Sequence, residues 1–167
     1  MNPNVDFAEQ VQIVSGFLPA DMQTAQNGDY ISLKNYERVT VILFKAAGTA
    51  GDDPTITLQE AQDVSGTGVQ ALAKISKVYV KQDTVLTATG QFTLVEQAAA
   101  STYTDATSAE DAAIWVFDVK VSDLSEGFDC IRCNVGDTGT NAQLGALLYL
   151  LWPARYGEQA LLSAIVD

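Results

Sequence analysis

The two thiols come first among residues that could do chemistry. Cys130 and Cys133 form a C-x-x-C pair. Such a pair holds zinc only when two more ligands complete a tetrahedron, and the 167 residues contain no histidine to supply one. A thioredoxin-type redox pair would open a helix, whereas segment 128–135 alternates as a strand does. Positions three apart on a strand point to opposite faces. The pair is therefore read as two unrelated small thiols, in the core or at the surface.

The carboxylates are the next candidates. Glu60, Glu96 and Asp118 sit in or beside strand-like segments and are the inward-facing candidates for paired acid–base or glycosidase chemistry. Nothing in the sequence brings them together, and solvent-facing or edge carboxylates are the plainer reading. Asp52-Asp53, Asp105, Glu110-Asp111 and Asp137 fall in loops. Oxygen clusters of that kind can hold calcium, but the D-x-D-x-D-G spacing of a calcium loop is missing. Triads built on histidine are excluded. Gly48, Gly51, Gly66 and Gly68 read as turn glycines, not as a phosphate loop or a dinucleotide fingerprint. Lys74, Lys77 and Lys81 form the one basic cluster, and strand alternation does not put them on a single face. No catalytic residue, cofactor or metal ligand is assigned, and the chain is not expected to be an enzyme.

Composition points the same way. Nine basic residues stand against 21 acidic ones, a formal charge of −12, which argues against nucleic acid and against anionic membrane surfaces as partners. The start of the chain lacks a basic region followed by an apolar run, so no signal peptide is read there, and synthesis in a cytoplasm is expected. A structural disulfide is then not expected. The longest apolar stretch, 146–152, is far too short to span a bilayer as a helix.

These residues must be positioned by strands. Phe7, Ala8, Val11 and Val14 stand at helical spacing, predicting a short N-terminal helix that Gly16 and Pro19 end. Thereafter the period is two. Segments 38–45, 55–59, 73–81, 91–97, 112–121, 128–135 and 142–152 read as strands separated by turns, with 98–109 as a loop or short helical turn. Within 73–81 the alternation places Ile75, Lys77, Tyr79 and Lys81 on one face. Segment 142–152 is apolar almost throughout, as a strand buried on both sides would be. The pattern predicts one all-β domain over 1–167, an antiparallel β-sandwich or jelly roll, with an N-terminal segment 1–20 and a C-terminal arm 153–167. Val41, Leu43, Ile56, Leu58, Ile114, Val116, Leu148 and Leu150 are the expected core. Trp152, Arg155, Tyr156, Leu161 and Leu162 are the expected interface residues: Trp152 ends the last strand, where a half-exposed aromatic anchors an interface or makes a satellite core contact, and the apolar tail after Pro153 needs cover. That cover is expected from a neighbouring subunit or another partner surface.

Four stretches carry a family likeness: Asn27-Gly28-Asp29-Tyr30-Ile31-Ser32-Leu33-Lys34-Asn35-Tyr36, Gly48-Thr49-Ala50-Gly51-Asp52-Asp53-Pro54-Thr55-Ile56-Thr57-Leu58, Gly127-Phe128-Asp129-Cys130-Ile131-Arg132, and Leu161-Leu162-Ser163-Ala164-Ile165-Val166-Asp167. With them the chain resembles small virion proteins of tailed bacteriophages, a group that includes capsid decoration, or cement, proteins. The resemblance implies a structural protein on the outer surface of the capsid. Its partners would be the major capsid protein and copies of itself, often as homotrimers, with no cofactor. The competing readings are a tail or neck component of the same virion, a carbohydrate-binding sandwich module, and an enzyme. A carbohydrate module would usually show several exposed aromatics or a calcium-loop pattern, and this chain has two tryptophans.

Overall fold

The computed structural model describes residues 3–87, 90–106, 111–155 and 161–166. After a four-residue helix α1, Phe7–Gln10, the chain is built of strands. These are β1 Gln12–Asp21, β2 Gln26–Asn27, β3 Ile31–Ser32, β4 Tyr36–Lys45, β5 Thr55–Ala61 and β6 Gln70–Ala71. They continue as β7 Ile75–Asp83, β8 Thr93–Ala100, β9 Thr102–Thr104, β10 Ala112–Lys120, β11 Cys130–Val135 and β12 Leu144–Ala154. One six-stranded sheet runs β1-β12-β4-β10-β7-β8. The other runs β2-β11-β5-β6, with β3 added on β11 and β9 on β5. Every ladder is antiparallel, and the two sheets pack as a sandwich around a single core. The all-β sandwich expected from the sequence is the fold found.

The expected helix is shorter than its spacing suggested, because Val11 ends it and Val14 already lies in β1. Gly16 and Pro19 do not stop the chain there. They sit inside β1, an edge strand with register shifts between Ser15 and Phe17 and between Phe17 and Ala20. A bulge needs a small residue where the backbone presses on its neighbours, and a Cβ on Gly16 would overlap Leu147. A proline is tolerated on an edge, where its missing N–H breaks no ladder. Where a loop or short helical turn was expected over 98–109, residues 98–100 instead complete β8 and 102–104 form β9, and 107–109 lie outside the described residues.

Val41, Leu43, Ile56 and Leu58 are fully buried, as expected. Ile114, Val116, Leu148 and Leu150 are not the inner residues of their strands. The inner ones are Ala113, Trp115, Phe117 and Val119 on β10, and Leu147, Tyr149 and Leu151 on β12. Residues directly opposite in a ladder share a face. Once Val41 and Leu43 point inward, their partners must follow. Those partners are Phe117 and Trp115 on one side, Tyr149 and Leu147 on the other. On these two strands both parities are apolar, so alternation alone could not decide.

Candidate binding surface

The expected interface residues divide. Trp152 lies on the outer face of the six-stranded sheet, where its Nε1 donates to Thr40 Oγ1 at 3.0 Å and the Arg38 guanidinium sits 4.8 Å from its ring. Arg155 ties down the end of β12. Its N–H donates to Asn35 O at 2.8 Å, its Nε donates to Tyr36 O at 3.1 Å, and Glu37 Oε1 lies 3.6 Å away. Tyr156 lies outside the described residues. Leu161 packs against the core and Ala164 is fully buried in it. Ser32 N–H donates to Ala164 O at 2.7 Å, and the Tyr36 hydroxyl donates to Leu162 O. The segment 161–166 thus takes part of its cover from its own domain. Leu162, Ile165 and Val166 remain exposed.

The candidate acids do not meet. Glu60 is buried on β5 with both oxygens occupied: Gln70 Nε2 donates at 2.6 Å, Ser125 N–H at 2.9 Å and Ser125 Oγ at 2.6 Å. It fastens the loop after β10 to the second sheet. Asp118 and Glu96 lie on the outer face of the first sheet, bound to Thr40 at 2.6 Å and to Lys77 at 3.2 Å. The loop carboxylates shape turns. Asp52 accepts from Asn141 Nδ2 at 2.7 Å, Asp137 accepts from Gly139 N–H at 2.8 Å, and Asp63 accepts from Ser65 and Thr67 N–H. Bonds from Thr67 hold the Asp63 carboxyl below its usual range. Glu110 lies outside the described residues. Among the described residues, no three His, Cys, Asp or Glu groups are placed to hold a metal ion. Cys130 and Cys133 form no disulfide, are buried and lie on opposite faces of β11, and the Cys130 thiol donates to Asp129 Oδ1 at 3.1 Å. Burial pushes the Cys133 thiol far above its ordinary range, which suits a packing group and not a nucleophile.

What the structure assembles instead is a surface. The outer face of the six-stranded sheet carries one row of Ser15, Leu148, Ile42, Val116, Tyr79 and Leu94, each paired with the next across the ladders. The neighbouring row holds Ala146, Phe44, Ile114 and Lys81, with Lys81 Nζ 4.5 Å from the Phe92 ring and Phe92 edge-on to Tyr79 at 6.5 Å. On the other side Ile13, Leu150, Thr40 and Asp118 lead to Lys77 and Glu96. Trp152, Arg38 and Lys120 form the last row. Ile13, Phe44, Tyr79, Phe92, Leu94, Leu144 and Leu148 are each 39–59 % exposed. An aromatic side chain carries about 150–250 Å², so these seven and the half-buried residues between them present roughly 800 Å². Soluble monomers rarely expose more than a few hundred Å² in one patch. Toward the loops the face deepens into a groove of about 430 Å³ lined by Pro19, Phe44, Ala46, Val85, Leu144 and Ala146.

The basic cluster also reads differently in three dimensions. A register shift between Ile75 and Lys77 turns Ile75 into the core while Lys77, Tyr79 and Lys81 face out. Lys74 then lines one cleft with Lys77 and Lys120. The expected face containing Ile75 is corrected by that bulge, which is invisible to a strict period of two. The apolar outer face left a signal in the sequence, since β12 and β10 are apolar at both parities.

No family model matches the sequence, and no curated protein matches it. Among solved structures the chain is similar to the crystal structure of SPBc2 prophage-derived protein YomS, with a TM-score of 0.42 and 13% identity over 83% of this chain and 92% of that one.

Proposed function

We propose that this protein is a structural component of a phage particle. In this reading it coats the outer surface of the head, binds major capsid protein subunits and bridges them, with no enzymatic role. The observation that carries the proposal is the open apolar face of the six-stranded sheet, a protein-contact surface of the size that stable complexes use. The chain's resemblance to small virion proteins, spread over four stretches, supplies the class of partner. The polar groups fit a structural role, since Glu60, Asp52, Asp63 and Asp137 hold loops in place. A coat protein needs modest affinity per copy, because repeated engagement on a shell multiplies weak contacts through effective concentration.

Mixing purified protein with undecorated mature heads tests the proposal. The expected result is co-sedimentation with heads and a higher temperature of DNA release. Stoichiometric incorporation into isolated tails, with none on heads, would reject head coating in favour of the tail alternative.

A further inference from the structure

The two edges of the six-stranded sheet are finished differently. On β1, two register shifts and Pro19 interrupt the edge, devices that keep it from accepting stray strands. β8 ends the other side of the sheet and, among the described residues, pairs only with β7. Its sequence, Thr93-Leu94-Val95-Glu96-Gln97-Ala98-Ala99-Ala100, holds neither proline nor lysine. Its pairing is regular from Thr93 to Glu96, and the one register shift lies beyond, between Ile75 and Lys77 of β7. It is also the one strand of this sheet without a buried residue. The cause is the change of sheet at Ser101, whose O accepts from Leu58 N–H at 2.7 Å before β9 joins β5 in the other sheet. Between β8 and β9 a pocket of about 400 Å³ opens, and its lining includes Val80, Val95, Gln97, Tyr103, Thr104 and Asp105. Thr93 and Val95 stand opposite the buried Val80 and Val78, so the pocket lies on the core side of β8.

We infer that β8 takes up an extended segment of a partner protein as a further strand, with a lysine or arginine of that segment lodged in the pocket. Strand addition needs an open edge that supplies main-chain hydrogen bonds, and pockets beside it that receive alternate side chains. Both are present along β8. Successive side chains of an added strand point to opposite faces, so every second one falls on the pocket side. The pocket wall is apolar at Val80, Val95 and the Tyr103 ring, which Trp115 braces edge-on at 5.0 Å. Such a wall suits the aliphatic stem of a long cationic side chain. The polar groups suit its head. Gln97 spends its Nε2 on Ile75 O and Thr102 O, both at 2.9 Å, which leaves its amide oxygen as an acceptor. Asp105 supplies the opposite charge, and lies close enough to Tyr103 to help push that hydroxyl upward. Charge also selects the occupant. β8 of another copy has no lysine or arginine to offer the pocket, and both chains would carry −12. The edge is separate from the apolar outer face, so this site stands or falls independently of head coating.

The probe is a short capped peptide of alternating valine and threonine with one central lysine, titrated into the isotope-labelled full chain and followed by NMR, with no heads present. Amide shifts should concentrate on residues 93–97 and 103–105. Replacing the peptide's lysine with glutamate should weaken binding by about tenfold or more, as loss of a charged partner does. Asp105→Asn should narrow that preference and Asp105→Lys should reverse it, with circular dichroism checking each fold. N-methylation of alternate peptide amides tests the strand itself. An added strand turns one set of its amides toward the edge, so one methylation pattern should abolish binding and the other should leave it. The inference is overturned if neither peptide shifts these residues at millimolar concentration, or if the shifts fall on the outer face instead. Binding indifferent to both Asp105 substitutions, or to both methylation patterns, overturns it too. Concentration-dependent shifts at 93–97 without peptide would mean that two copies pair there, and would replace the basic segment as occupant.

Discussion

Tyr149 shows how one side chain joins the two sheets. It rises from β12 through the core, and Cys133 N–H on β11 donates to its hydroxyl at 2.8 Å. The chain leaves β11 after β2, where Gly28 N–H donates to Cys133 O at 3.1 Å, and pairing resumes only at β3. Tyr149 accepts the N–H left open in that gap. A Cβ on Gly28 would overlap Cys133 O and crowd the Tyr149 hydroxyl, so glycine is required there. Tyr149→Phe should cost about 1–3 kcal/mol, the penalty of an unpaired buried N–H, read from the denaturant midpoint at unchanged slope. Titration offers a second residue-scale check. Burial, and then the Asp105 charge, push the Tyr103 hydroxyl from 10.0 to about 12, and burial pushes Tyr149 the same way. Below pH 10 Tyr103 is protonated in both the folded and the unfolded chain. Between pH 10 and about 12 only the unfolded chain ionises there, so it binds fewer protons and stability falls as pH rises. With no histidine, stability should stay nearly flat between about pH 6 and 8, above which the buried Cys133 thiol, free to ionise only in the unfolded chain, begins the alkaline loss. Denaturant titrations across this range check both the plateau and the alkaline loss.

At the scale of elements, the C-terminal segment belongs partly to its own domain. Leu161 and Ala164 pack on the core, Ser32 N–H is bonded to Ala164 O, and the Tyr36 hydroxyl is bonded to Leu162 O. Tyr36 and Ser32 are both buried, so removing the segment strands their polar groups. Deleting residues 161–167 should therefore lower stability by about 2–4 kcal/mol, the sum of lost apolar burial and unpaired groups. Chemical denaturation of the truncated chain measures this. An unchanged stability would mean that the segment serves only a neighbour, as the apolar pattern after Pro153 first suggested. The two sheet edges differ in a related way. β1 carries two register shifts and a proline, the devices that blunt an edge against stray pairing. On the opposite edge, β8 spends the Gln97 side chain on Ile75 O and Thr102 O, both at 2.9 Å, which holds the irregular end of that strand.

At the scale of the whole molecule, a partner that covers the outer sheet face of the folded chain would add to its stability, because anything that binds only the folded state stabilises it. With the capsid as that partner, as proposed, the melting temperature of the wild type should rise when undecorated heads are added, while that of Leu148→Glu should rise less. Differential scanning calorimetry at several head concentrations distinguishes them. The strand positions of that face carry Arg38, Lys77, Lys81 and Lys120 with Asp21, Asp83, Glu96 and Asp118, so the excess of acid lies elsewhere. Contact between copies through those acidic faces should therefore strengthen with added salt.

The sequence by itself determined the class of fold. Period-two segments broken by glycine and aspartate leave an antiparallel sandwich as the economical arrangement, and Ile56 and Leu58 were legible as core because Thr55, Thr57 and Gln59 flank them in alternation. It also determined that histidine chemistry is absent. The tertiary structure decided what alternation leaves open. On β10 and β12 both faces are apolar, so the inward parity depends on the register against β4, a contact between residues far apart in the chain. The bulges at Ser15/Phe17 and at Ile75/Lys77 each shift a face without any local sequence mark strong enough to read. The binding surface follows from the same physics: an apolar residue looks alike in sequence whether it meets its own core or a partner. Only the sheet's placement against β11 and β5 shows which of the two apolar faces is already covered.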